Sequence, residues 1–126
     1  MIKLKVQRVP FSADADSRLR MLKARTGVTP NLICRLGFCL SLEEPGSPRT
    51  APDFKAEREI NRYTLLGEYD AVLVALLQAR LIADKEPLTS CDEAFVAHMN
   101  RGVELLATRL RSLSDLGPML SAVLSK

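Results

Sequence analysis

The chain has 126 residues, of which 47% are hydrophobic and 26% charged, with a formal net charge of +3. Those proportions exclude a disordered tail and a disulfide scaffold, and they describe one globular domain large enough for a real core. No run of 18 apolar residues and no leader-like N-terminus is present, so a cytoplasmic protein with no membrane contact is expected. The charge is lopsided: residues 1–35 hold eight cations against two acids, for +6, and the remainder sums to −3. An anionic partner for the N-terminal part is expected, nucleic acid first.

Residues 2–9 alternate, with Ile2, Leu4 and Val6 on one face and Lys3, Lys5 and Gln7 on the other, up to Pro10. This is a strand pattern, and nothing else in the chain carries one. A lone strand cannot satisfy its own backbone, so its expected partner is the same strand of a second subunit; a frayed arm is the alternative. Ser12 is placed to cap a first helix, with Asp14 and Asp16 in its first turn. An apolar row of Ala15, Leu19 and Leu22 runs along it, surrounded by Arg18, Arg20, Lys23 and Arg25. Arg18 and Arg25, two turns apart, share a face, and Lys23 is expected on the flank of Arg25.

Gly27 ends that helix as its left-handed residue. Thr29 as N-cap and Pro30 at the first helical position then start a second. It is apolar nearly all round through Leu32, Ile33, Cys34, Leu36, Phe38, Cys39 and Leu40, with Arg35 its only charge before Glu43. Such a helix is expected to be buried on every side, and Gly37 at its middle suggests a close crossing in a subunit interface. Residues 42–53, with three prolines and a glycine, read as a loop. From Glu57 to Asp70 charges and aromatics mix without a clean period. Val72, Leu73, Leu76, Leu77 and Leu81 mark an apolar helix that stops before Pro87. Ser90 and Glu93 form a capping-box pattern before a last long helix, whose stripe is Phe95, Met99, Val103, Leu106 and Leu110. Gly117 and Pro118 break it.

The expected fold class is mainly α. A ribbon-helix-helix-like N-terminal part of one strand and two helices (residues 1–45) is extended by two longer C-terminal helices (residues 46–126), in a single domain. Two such strands paired into a ribbon fit a major groove, and the second helix's N-terminus at Thr29-Pro30-Asn31 presents free amides to a phosphate. That order alone supports a transcriptional regulator reading an operator through Lys3, Lys5 and Gln7. An assembly scaffold whose cations bind an acidic protein is a third possibility.

A closer resemblance rests on three segments. They are Leu22-Lys-Ala-Arg-Thr-Gly-Val-Thr-Pro-Asn-Leu-Ile-Cys-Arg-Leu-Gly, then Ser41-Leu-Glu-Glu-Pro, and Glu59-Ile-Asn-Arg-Tyr-Thr-Leu-Leu-Gly-Glu-Tyr-Asp. In this order they resemble the DndE family, small subunits of the bacterial DNA phosphorothioation (DNA sulfur-modification) system. The likeness covers about half the chain and leaves out the helix from Ser90. It implies a non-catalytic subunit that binds double-stranded DNA, preferring nicked duplex, as a tetramer; the unpaired strand and the apolar second helix by themselves call for an obligate homo-oligomer, dimer or tetramer. It also implies partners in that system: a desulfurase, an ATP-using sulfur-transfer enzyme and an ATPase. The implied DNA contacts fall on Arg18, Lys23 and Arg25, then on Lys3, Lys5 and Arg8; Arg20, Thr29 and Asn31 complete the candidate set.

The remaining chemistry is weighed against that. Three cysteines at unrelated spacings read as reduced thiols. A persulfide carrier must be exposed and acidified, whereas Cys34 and Cys39 are expected in the core. Cys91, near a helix start, is the more plausible reactive thiol, although Asp92 and Glu93 beside it raise its pKa. His98 is the only histidine, and neither zinc spacing nor a Ser-His-Asp set is available. Glu57, Glu59, Glu68 and Asp70 are interleaved with Arg58 and Arg62, which favours a salt-bridged surface or subunit contact over a Mg²⁺ site. No enzyme, metal or cofactor is expected.

Overall fold

A short antiparallel ribbon joins the two ends of the N-terminal half. In the computed structural model, which describes residues 3–48 and 55–110, β1 (Arg8–Phe11) pairs with β2 (Arg58–Asn61). Val9 lies opposite Ile60 and Pro10 opposite Glu59. The expectation of a strand over residues 2–9 paired to a second subunit is corrected on both counts. The ladder begins at Arg8 rather than Ile2, and it closes within the chain. Pro10 sits inside the strand instead of ending it, because a strand with an open edge tolerates a residue without an N–H.

α1 (Ala13–Thr26) starts as expected, with Ala15 N donating to Ser12 Oγ at 3.1 Å. It ends at Gly27, whose φ of 75° places it in the left-handed region, and Gly27 N bonds back to Lys23 O. Thr26 fixes the turn that follows: its hydroxyl donates to Leu22 O at 2.7 Å and accepts from Val28 N at 3.1 Å. α2 (Pro30–Glu43) begins directly after Thr29. α3 (Arg62–Leu66), a tight turn at Gly67–Tyr69, and α4 (Asp70–Ala83) follow, and then α5 (Cys91–Arg109).

The centre of the molecule is the crossing of α2 over α5. A Cβ built on Gly37 would lie 2.7 Å from the carbonyl carbon and oxygen of Gly102, and one on Gly102 would run into the carbonyl of Gly37. Only two glycines let the backbones come this close. The close crossing expected of Gly37 therefore exists, but inside the chain and not between subunits. Around it, Phe38 meets Phe95 edge-on at 5.3 Å, and Ile33, Cys34, Met99, Val103 and Leu106 are fully buried. One apolar cluster runs from Leu4 to Leu110 and takes in the whole expected α5 stripe.

Three further expectations change. α2 is not buried on every side: Leu32 is 44% exposed and Cys39 is exposed, because no described element packs against that face. The capping box at α5 does not form; Ser90 Oγ donates instead to Pro87 O at 2.7 Å. α5 ends at Arg109, ahead of Gly117 and Pro118, which lie outside the described residues, as do residues 49–53 of the expected loop. The last carbonyls of α2, and Gly46 O in the loop after it, are met by arginines from two other helices. Arg80 donates to Leu42 O at 2.6 Å and Gly46 O at 2.8 Å, and Arg101 to Ser41 O and Gly46 O, both at 2.7 Å. Guanidiniums at a helix C-terminus satisfy its open carbonyls and its dipole together.

Candidate nucleic-acid interface

α1 packs its apolar row inward and so turns its cations to solvent. At 100° per residue, Arg18 and Arg25 fall within about 20° of each other, whereas Lys23 and Arg25 are about 160° apart. The expectation that Lys23 flanks Arg25 is corrected: Lys23 shares the opposite flank with Arg20. The two flanks differ in how their charges are held. Arg20 Nε lies 3.1 Å from Asp16 Oδ2, and Arg58 Nε reaches Asp16 Oδ1 at 3.3 Å. Asp16 is only 7% exposed, and a carboxylate so placed needs the two guanidiniums around it. Arg8 pairs with Glu59 at 2.9 Å on the open surface, where such a pair is weak. Arg18, Lys23 and Arg25 make no ion pair with any described residue.

The N-terminus of α2 lies at the end of this basic helix. Thr29 is the N-cap but its side chain makes no capping bond, and Pro30 has no N–H. The first-turn amides of Asn31 and Leu32 therefore have no intrahelical acceptor.

The arm formed by residues 3–7 is anchored elsewhere. Lys5 N and Val6 N both donate to Asp92 Oδ1, at 2.8 and 3.0 Å, and Arg62 Nη1 donates to Leu4 O at 2.8 Å. Arg62 is itself held by a two-pronged contact to Asp70, both prongs at 2.7 Å. Eight residues along α5, about 12 Å, Asn100 accepts from Ser12 N at 2.9 Å and donates to Pro10 O at 3.0 Å, setting the start of α1. Lys3 and Lys5 thus belong to one group of cations and the α1 residues to another. Asp16, Asp92, Arg62 and Asn100 were not anticipated in these roles. An acid in the first turn of a helix was visible, but nothing local names a partner 87 residues away.

The other reactive groups are placed as follows. Burial, slightly offset by Arg58, pushes the Cys34 thiol up to about 12, as suits a core residue. Cys39 is exposed, which corrects its expected place in the core, and partial burial with Glu43 nearby still raises its thiol. Cys91 is 2% exposed and raised chiefly by burial, which removes the most plausible reactive thiol. Ser41 Oγ lies 2.8 Å from His98 Nδ1, and Arg101 Nε donates to the same hydroxyl at 2.9 Å. Away from water and beside the Arg101 guanidinium, the imidazole is held neutral. Burial first, then Arg101 and Arg80, lower its pKa to about 4. Ser41 is fully buried, so the pair joins α2 to α5 and is not an accessible nucleophile with its base. The ion pairs of Glu59 and Asp70 make the salt-bridged surface anticipated for that acidic stretch. Among the described residues no group of three or more His, Cys, Asp or Glu is placed to hold a metal ion. A cleft of about 330 Å³ beside His98 is rimmed by Asp84, Glu86 and Glu93, a sign that repels DNA. No helix among the described residues is long and apolar enough to cross a membrane.

Comparison with known proteins gives a consistent picture. No curated protein sequence matches the chain. The crystal structure of DndE from Escherichia coli B7A, involved in DNA phosphorothioation modification, is similar with a TM-score of 0.64 at 25% identity, over 83% of this chain and 99% of that one. The crystal structure of a DndE mutant with glycine-to-lysine replacements, involved in DNA phosphorothioation, has a TM-score of 0.60 at 22% identity, over 82% and 99%, and speaks to the fold alone. The family model for the DNA sulphur modification protein DndE matches residues 8–114, and so takes in the helix from Cys91 that the motif resemblance left out. A match of that extent, on a chain with this fold, means that the protein belongs to the DndE family of the DNA phosphorothioation system.

Proposed function

We propose that this chain is a non-catalytic, double-stranded-DNA-binding subunit of the phosphorothioation machinery. It works in the cytoplasm as a homo-oligomer beside the other subunits of that system. The observation that carries the reading is the pair of solvent-facing flanks of α1, where Arg18 and Arg25 on one and Lys23 on the other have no acid partner among the described residues, with the open first turn of α2 following at the helix end. Thr29 and Asn31 would offer amides to a phosphate there. Lys3 and Lys5 form a second contact group, while Arg8 and Arg20 contribute less because Glu59 and Asp16 already hold them. Contacts of this kind fix the protein on the backbone without reading bases. Two separated groups of cations favour a duplex that bends cheaply, which is the physical sense of a preference for nicked DNA. The alternative, an operator-reading regulator, needs two strands from two subunits in the groove, and β1 is closed on β2 of its own chain.

The test is fluorescence anisotropy of the Arg18→Ala, Lys23→Ala, Arg25→Ala triple variant on intact and nicked duplexes of unrelated sequence, titrated with salt. Each lost phosphate contact should flatten the salt slope by about one unit, roughly three in all. Affinity should fall equally on every sequence. Unchanged binding by the folded triple variant refutes α1 as the DNA face.

A further inference from the structure

The two features expected to make an interface between subunits, the N-terminal strand and Gly37, are both used inside the chain. Apart from the Leu32 and Cys39 face of α2, the apolar surface left uncovered on a described helix is one side of α4. Its exposed residues are Ala71, Val72, Ala75, Leu76, Ala79, Ile82 and Ala83, and every one is apolar. Val72 is 60% exposed, Leu76 47% and Ile82 65%. The polar residues of the helix are turned elsewhere: Asp70 toward Arg62, Arg80 toward Asp84 and the end of α2, and Gln78 into the core. A helix in contact with water ordinarily carries polar residues on its outer side, so a wholly apolar outer side is one that another surface covers.

We infer that this side of α4 is a two-fold interface on which a second copy of the chain lays its own α4 antiparallel. This rests on the homo-oligomer reading above and gives that oligomer its surface. The antiparallel sense follows from charge. Glu68, just before α4, and Lys85, just after it, are exposed and make no ion pair with a described residue. Parallel packing sets Glu68 against its own copy and Lys85 likewise, whereas antiparallel packing brings each Glu68 to the partner's Lys85 and opposes the helix dipoles. In that register Val72 meets the partner's Ile82 and Ala75 the partner's Ala79. The alanines, four residues apart along the helix, let the two backbones approach closely. Glu86 does not disturb the pairing, since it turns to the cleft beside His98. The helix is about 21 Å long, so the pair sits at the small end of specific interfaces and should dissociate on dilution.

Sedimentation velocity of the full chain at tens of micromolar tests this, with wild type expected to be dimeric or larger. Leu76→Glu and Ala79→Arg, both at exposed positions, should keep the wild-type circular dichroism and reduce the mass by breaking the pair. Glu68→Lys and Lys85→Glu should each weaken association a few-fold, and the double exchange should restore it. If Leu76→Glu and Ala79→Arg are folded and keep the wild-type mass, the α4 interface is wrong while the homo-oligomer stands. A wild type that is monomeric overturns both.

Discussion

Replacing Gly37 by alanine probes the contact on which the fold turns. The added Cβ meets the carbonyl carbon and oxygen of Gly102 at 2.7 Å, and these are main-chain atoms of α5 that cannot swing aside. Ordinary carbon contacts lie at about 3.7 Å, so α2 must lift by about 1 Å. A gap of that size forfeits roughly a quarter to a half of the attraction between facing groups. Here those groups include Ile33, Cys34 and Phe38 on α2 and Phe95, Met99 and Val103 on α5. Overpacking of this kind costs about 3 kcal/mol at the upper end of its usual range, and the better helix propensity of alanine returns about 1 kcal/mol. The net loss of about 2 kcal/mol corresponds to about 8 °C in Tm for a chain of this size. Urea and thermal unfolding followed by circular dichroism read it directly. Gly102→Ala should lose more, because its Cβ meets the Gly37 carbonyl and lies 2.7 Å from Phe38 N. A Gly37→Ala protein as stable as wild type, or more so, refutes the crossing.

Two smaller tests address the buried chemistry. His98 is held neutral with a pKa near 4 against an ordinary 6.5, so between those values the unfolded chain takes up a proton that the native one does not. Stability is therefore lost on acidification, by about 2 kcal/mol between pH 7 and pH 5; urea midpoints should show this, with His98→Gln lacking that share, and equal pH slopes refute it. For the thiols, a disulfide-exchange reagent should modify Cys39 first in the native protein, and Cys34 and Cys91 only on unfolding. Two fast thiols in the native protein refute that placement.

Much of the helical layout was legible because its signals are local. Ser12 as cap, Gly27 as stop, Pro30 as start and the Phe95–Leu110 stripe each declare an element within a turn or two. β2 was missed for a physical reason: its inward positions are Arg58 and Ile60, both only partly buried, so its alternation has no clean apolar face. The clear alternation of Leu4 and Val6 belongs instead to an arm held by Asp92 and Arg62, whose partners lie far along the chain. Gly37 announced a tight crossing but not its partner, since Gly102 sits mid-helix with no mark of its own. At the candidate site the cation types were readable. Which of them stand unpaired depended on Asp16 and Glu59, and those contacts exist only in the folded chain.

The union of α2 with α5 has a consequence for how the protein is made. Ser41 and Arg101, which join the two helices beside the glycine crossing, are separated by 60 residues. At about 5–20 residues per second, a ribosome spends roughly 3–12 s between finishing one surface and supplying the other. Throughout that interval α2 displays Ile33, Cys34, Phe38 and Leu40, none of which has its native cover. The nascent chain is thus at its most vulnerable after α2 is synthesised and before α5 arrives to cover its apolar side. Slow synthesis between Glu43 and Cys91 favours aggregation or capture by a chaperone, and quick synthesis there favours the native protein.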